Sequence, residues 1–273
     1  MKRIHFFELE DKRWFPATFR NLLTDSLQFG ITAFQLYEPI IPLLKKVLQH
    51  MNTTQIVDLC SGASGPWTYL QLVTMQEQGA ITVTLTDKYP NLHAFERISK
   101  LSKGQIHYLR EPVDAAKVPE DIKGVRTIFT GFHHFRPELA KAILQNAVDQ
   151  RVAICIFEFT ERRLQNLLLT PIITPLTIFL TTPFMKPITF SRIFWTYFIP
   201  VVPLAISWDS IISNLRTYSI KELRELTSAV KGDGYTWEIG KTISTKVKAI
   251  NITYLLGYPG NPLHLTSEKE ATY

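Results

Sequence analysis

Cysteine is nearly absent: Cys60 and Cys155 are the two in 273 residues, and neither has a metal-ligating partner at suitable spacing. A disulfide framework and a structural zinc site are therefore not expected, and a reducing compartment is. Blocks of like charge are missing too. Lys and Arg total 30 against 24 Asp and Glu, a net charge of +6, but the signs are interleaved and no aromatic-studded basic stripe occurs. That pattern argues against a nucleic-acid partner and leaves a mildly basic surface, open to an anionic substrate or a membrane face. No apolar leader follows Lys2 and Arg3, because Glu8, Glu10 and Asp11 come at once. The expectation is a cytoplasmic chain, in which Asn52-Thr53-Thr54 and Asn251-Ile252-Thr253 match the glycosylation pattern by chance. Internal repeats and low-complexity tracts are absent.

What is present is an ordinary folded composition, 45% hydrophobic, in a chain long enough for one substantial core. Short segments rich in Val, Ile, Leu and Thr at 55–58, 81–86, 105–109, 125–130 and 152–157 alternate with helical patterns at 66–78, 92–103 and 137–149. This alternation predicts βαβ units and a parallel sheet. Ser219, with Glu222 three residues on, is a capping box that opens a helix to about Lys231; strands at 235–239 and 248–256 follow, making seven. Residues 1–53 are expected to form an N-terminal helical cap, 54–160 and 210–260 the core, and 161–209 an apolar insertion, all in one domain. Pro171, Pro175, Pro183, Pro187, Pro200 and Pro203 are expected to break the insertion into short helices that form a hydrophobic lid. Residues 165–185 nevertheless carry no charge over the ~20 residues a membrane span needs. Trp195, Tyr197, Trp208, Lys186 and Arg192 are of the types found at lipid headgroups, so peripheral contact with the inner face of a membrane is the rival role.

The first strand, ending in Ile56-Val57-Asp58, turns through Leu59-Cys60-Ser61-Gly62-Ala63-Ser64-Gly65 into a helical pattern. Small residues after a strand-ending acid let backbone N–H groups and a helix N-terminus approach a ligand with no Cβ in the way. Asp87, followed by Lys88, ends the second strand, where a carboxylate can accept from a ribose diol. Asp114, followed by Ala115, comes after the third strand, where a carboxylate can accept from an adenine amino group while the next N–H meets a ring nitrogen. A cap or a turn explains any one of these acids equally well; it explains their joint order poorly.

In that order of loop, ribose acid and adenine acid, the chain resembles the class I S-adenosylmethionine-dependent methyltransferases over about 55–158 and, more loosely, 219–259. The family's loop carries three alternating glycines. Here Cys60 and Ser64 hold the first and third of those places, and only Gly62 remains. Trp14-Phe15-Pro16, Phe132-His133-His134-Phe135, Trp208-Asp209, Leu215-Arg216-Thr217-Tyr218 and residues 254–259 are similar to a bacterial group within the class. The resemblance implies a Rossmann-like, doubly wound sheet, mostly parallel with its last strand antiparallel, and S-adenosyl-L-methionine as cofactor. It implies a cofactor site at Asp58, Cys60, Ser61, Gly62, Ala63, Gly65, Asp87, Lys88, Asp114, Ala115, Thr130 and Gly131.

Chemistry is expected at the carboxyl edge of the sheet, in Thr130-Gly131-Phe132-His133-His134-Phe135 and at Glu158. Methyl transfer from a sulfonium is an in-line displacement, and a base is needed only if the nucleophile carries a proton. His133 or His134 would take that proton, with Glu158 orienting a histidine or binding the acceptor; a core histidine, a surface histidine and a pair of Glu158 with Arg162 or Arg163 are the bland readings. Tyr37, Trp208 and Asp209 are candidate acceptor contacts, with packing and capping as their alternatives. The expected function is methyl transfer to a small, hydrophobic or lipid-like acceptor, with no metal and no nucleic acid; the Asn/Asp-Pro-Pro-aromatic signature of DNA amino-methyltransferases is absent. A non-catalytic adenosyl-binding protein docked through its insertion is the alternative. A nicotinamide oxidoreductase ranks last, since Gly-x-Gly-x-x-Gly is missing.

Overall fold

The strands are β1 Gln55–Asp58, β2 Thr82–Leu85, β3 Ile106–Tyr108, β4 Val125–Phe129, β5 Ile154–Glu158, β6 Tyr235–Ile243 and β7 Asn251–Pro259. In the computed structural model, which describes residues 1–70 and 81–260, they form one sheet in the order β3-β2-β1-β4-β5-β7-β6. Strands β1 to β5 pair in parallel, and β7 runs antiparallel to β5 and β6. The sheet is Rossmann-like, as expected. Strand β6 runs past its expected end at 239, and β7 lies at 251–259 where 248–256 was expected, because the two pair from Tyr235↔Pro259 to Ile243↔Asn251.

Every residue of β4 and β5 is buried, as befits strands covered on both faces. Helices α1 Ala17–Ala33, α2 Ile41–His50, α3 Leu92–Leu101 and α4 Pro137–Asp149 precede the insertion. Residues 67–70 are helical; the rest of the helix expected at 66–78 lies outside the described residues. One apolar layer joins α2, Trp67, Leu70 and α3 to the sheet. The other joins α4 and the capping-box helix after Ser219 to its opposite face. The strand order reverses between β1 and β4, so the loops leaving their carboxyl ends diverge and open a crevice there.

The insertion departs from expectation. Helix α5, Leu164–Thr181, continues through Pro171 and Pro175 instead of breaking. Each proline removes one backbone donor and crowds the carbonyl four residues back, yet the remaining ladder carries the helix through both positions. After a turn, α6 Phe190–Ile193 runs into a π-helical segment, Phe194–Phe198, and α7 Val201–Arg216 returns. Ile178, Val202 and Ala205 pack on Leu22 and Leu23 of α1, which seats the insertion on the N-terminal cap.

Helix α8, Ile220–Ser228, carries the expected box: the Ser219 side chain accepts from the Glu222 N–H and the Glu222 carboxylate accepts from the Ser219 N–H. Ser219→Ala should lower unfolding stability by about 1 kcal/mol, read from urea denaturation midpoints.

Candidate active site

Two cavities meet at the carboxyl edge of β4. The first, about 250 Å³, is lined by Cys60, Ser61, Gly62, Ala63, Gly65, Asp87, Thr130 and Gly131, all expected to hold a cofactor. The loop after β1 is left-handed at Cys60 (φ 57°), Gly62 (53°), Ser64 (90°) and Gly65 (51°). Cys60 and Ser64 therefore occupy the backbone conformation that glycine adopts freely, at the two places where the resemblance expects glycine. Asp87 fixes the loop: Oδ2 accepts from the Gly62 N–H at 2.9 Å and Oδ1 from the Tyr89 N–H at 2.8 Å. Gly131 permits a close approach, since a Cβ there would lie 3.2 Å from Ile128 Cγ2 and 3.4 Å from Cys60 Cβ.

The other expected cofactor residues do not line this cavity. Asp58 is buried beneath the loop and accepts from Thr127 Oγ1 at 2.5 Å. Burial pushes its carboxyl up to about 7, against the bond from the Thr127 hydroxyl. Asp114 accepts from the Ala116 N–H and pairs with Lys88 Nζ at 3.0 Å, which holds its carboxyl below the usual range. Its carboxylate thus closes a local turn, with Ala115 buried inside it. Tyr37 is wholly buried behind Thr130, bonded to its hydroxyl and donating to the Phe157 carbonyl. Trp208 Nε1 donates to the Phe7 carbonyl and its ring packs on Phe6 and Phe7. Neither is among the residues that line these two cavities.

The second cavity, about 370 Å³, lies under the insertion and is lined by apolar Leu169, Ile173 and Ile206 and by polar His133, Asp209 and Asn214. Glu10, Leu27, Thr130 and His134 line both cavities. Glu158 organises the polar side. Its Oε1 accepts from the Phe132 and His133 N–H groups at 2.7 and 3.1 Å, and its Oε2 faces His133 Nδ1 at 2.8 Å. Burial alone would raise Glu158, but His133 and these bonds outweigh it and keep the carboxyl below its ordinary value. An ionised Glu158 only accepts, so the shared proton sits on Nδ1. His133 Nε2 is buried without a hydrogen-bond partner, 3.8 Å from Glu8 Oε1.

His134 lies in a different field. Its Nδ1 is 3.0 Å from Asp11 Oδ1 and 3.1 Å from Glu8 Oε2, and its Nε2 is 3.5 Å from Glu10 Oε1. Burial works against its charge, yet Glu8, Asp11 and Glu10 outweigh burial and carry the imidazole up to about 10. Burial would likewise raise Asp11, but His134 and Arg216 hold it well below the usual carboxylate range; Glu10 is raised by burial. Arg216 Nη1 closes the network at 2.7 Å from Asp11 and 3.2 Å from Glu8. Asp209, pushed up to about 7 by burial, accepts from the Leu9 and Glu10 N–H groups. Glu8, His133 and His134 offer ligand atoms within 4.8 Å of one another, but Arg216 and the charged His134 supply the positive charge at that point, so we read an ion network. Sequence reasoning missed Glu8, Glu10 and Asp11 as site residues. Their signal was three acids within four residues, immediately before Trp14-Phe15-Pro16.

No protein-family model matches the sequence, and no curated protein matches it. Solved structures similar to it include an O-methyltransferase family protein from Burkholderia thailandensis, 12% identical over 86% of this chain with a TM-score of 0.44. The chain spans 59% of that protein's length. Magnesium protoporphyrin IX methyltransferase from Synechocystis PCC 6803, solved with SAH bound, is 12% identical over 85% of this chain and 86% of its own, at 0.45. A Rhodobacter sphaeroides protein assigned to the Zn-dependent alcohol dehydrogenases is 11% identical over 87% and 98%, at 0.48. Similarity at this level assigns no reaction and no residue.

The left-handed serine is directly testable. Ser64→Gly should be more stable to unfolding than Ser64→Ala by about 1 kcal/mol, since both remove a buried hydroxyl without a partner and only glycine removes the Cβ that opposes φ 90°. Equal thermal midpoints for the two variants would count against the strained loop.

Proposed function

We propose that this chain is an S-adenosylmethionine-dependent methyltransferase acting on a small, apolar acceptor. The observation that carries the proposal is the junction of the two cavities at Thr130 and His134, with a small-residue loop and Asp87 on one side and an oriented, unpartnered His133 Nε2 on the other. The first cavity suits an adenosyl group. Gly62 is open on its Cβ side, with Thr24 Cγ2 as its nearest neighbour at 4.0 Å, and each Asp87 oxygen keeps a lone pair beyond its one backbone bond. The cofactor supplies an electrophilic methyl on a sulfonium. Leu169, Ile173 and Ile206 hold the acceptor's apolar body and exclude water. His133 Nε2 takes the acceptor's proton, Glu158 holds the ring's tautomer and stabilises the imidazolium, and His134, already charged, does not compete for the proton.

Calorimetric titration tests the cofactor half: S-adenosylmethionine and S-adenosylhomocysteine should bind in the micromolar range and nicotinamide cofactors should not. Asp87→Ala should abolish that binding; unchanged affinity would remove the pocket assignment.

The acceptor half needs a screen of lipophilic phenols, acids and amines. With an acceptor in hand, His133→Ala should lower kcat by about 100-fold or more at unchanged cofactor affinity, with Glu158→Gln following in the same direction. Cofactor binding with full turnover in His133→Ala would rule this base out.

A further inference from the structure

The outer face of the insertion is apolar and exposed. Leu164, Leu168, Ile172, Leu176, Leu180 and Phe184 recur every fourth residue, each between 55% and 71% exposed. The segment they mark, 21 residues, is long and apolar enough to cross a membrane, and only 11% of it is buried. Yet its far end is fastened back onto the body. Arg192 Nη2 pairs with Asp25 of α1 at 2.7 Å, and Arg97 of α3 donates to the Lys186 carbonyl at 3.0 Å. Helix α7 returns alongside, so both ends of the insertion rejoin the sheet and its length lies along the protein. No acidic residue occurs between Glu161 and Asp209, while Arg163 and Lys186 are exposed at the two ends of the apolar stretch. Leu169 and Ile173 line the cavity under the insertion and are also 50% and 52% exposed, so that cavity opens through the apolar face.

We propose that this face docks in the plane of a lipid bilayer and that the methyl acceptor is a membrane amphiphile entering between Leu169 and Ile173. Docking stands alone; the acceptor's identity rests on the methyltransferase reading above. From Leu164 to Leu180 the stripe turns about 160° around the helix, at ~100° per residue. Acyl chains can follow such a surface, and a folded partner covers one side of it. A partner seated there would also close the mouth that the cavity opens on this face. Basic ends and an acid-free face complement anionic headgroups.

The test sediments the full-length protein with vesicles of phosphatidylcholine, alone or with added phosphatidylglycerol. A triple variant, L168D/I172D/L176D, changes only exposed side chains and should keep the wild-type circular dichroism and cofactor affinity. The wild type should pellet with both vesicles, more with the anionic one, and the variant's vesicle affinity should fall at least about tenfold, since it exposes three carboxylates where apolar chains were buried in lipid. Docking is overturned if the wild type stays in the supernatant with both compositions, or if the variant pellets equally well. It is also overturned if the wild type forms a dimer that the variant disrupts and neither binds vesicles. Vesicle binding without cofactor binding would defeat the lipid acceptor together with the methyltransferase reading and leave docking supported.

Discussion

One buried carboxylate ties the site together. Glu158 ends β5 with two backbone N–H groups, an imidazole nitrogen and the Thr160 hydroxyl on its oxygens. Thr160 in turn is bonded to Thr217, just past the end of α7. A carboxylate this deep is tolerable only because its lone pairs are filled. Filling them fixes the loop after β4, the tautomer of His133 and the return of the insertion in a single constraint.

The N-terminal segment is held mainly by charge. Glu8 is fully buried and reaches Arg216, more than 200 positions away, while Asp209 takes the next two backbone N–H groups. The same network separates two adjacent histidines into opposite roles. Three carboxylates surround His134 and keep it cationic, whereas His133 meets Glu158 at 2.8 Å through Nδ1 and has Glu8 at 3.8 Å from Nε2. Neighbouring residues of one type thus sit in different electrostatic fields, the kind of difference by which titratable pairs divide acid and base duties elsewhere.

The sheet was legible because its code is local. Alternating β-branched runs and helical spacing placed all seven strands, and Pro137 and the Ser219 box placed two helix starts. The cofactor loop was legible in the same way, down to the two positions where glycine was expected and left-handed backbone is found. Glu158 beside a histidine was anticipated, since both lie at the carboxyl ends of neighbouring strands. Glu8, Glu10 and Asp11 were not, because their partners lie more than 120 positions away and nothing local marks an acid as buried. Tyr37 and Trp208 read as acceptor contacts from their chemistry, but their hydroxyl and indole groups are occupied by Thr130 and the Phe7 carbonyl.

Proline misled the reading of the insertion, and the reason bears on where it sits. Pro171 and Pro175 leave the carbonyls of Leu167 and Pro171 without a helical donor while the helix runs on. In a hydrocarbon interior each such carbonyl would need another donor, and the most exposed residues of α5 are mainly apolar. At the depth of lipid headgroups, water reaches them. If this face docks in lipid as proposed, two carbonyls without an i+4 donor, threonines scattered between the leucines and a far end bonded to Asp25 and Arg97 favour a shallow seat over a crossing. An amphiphile held there would keep its tail in the bilayer while its polar end reached His133.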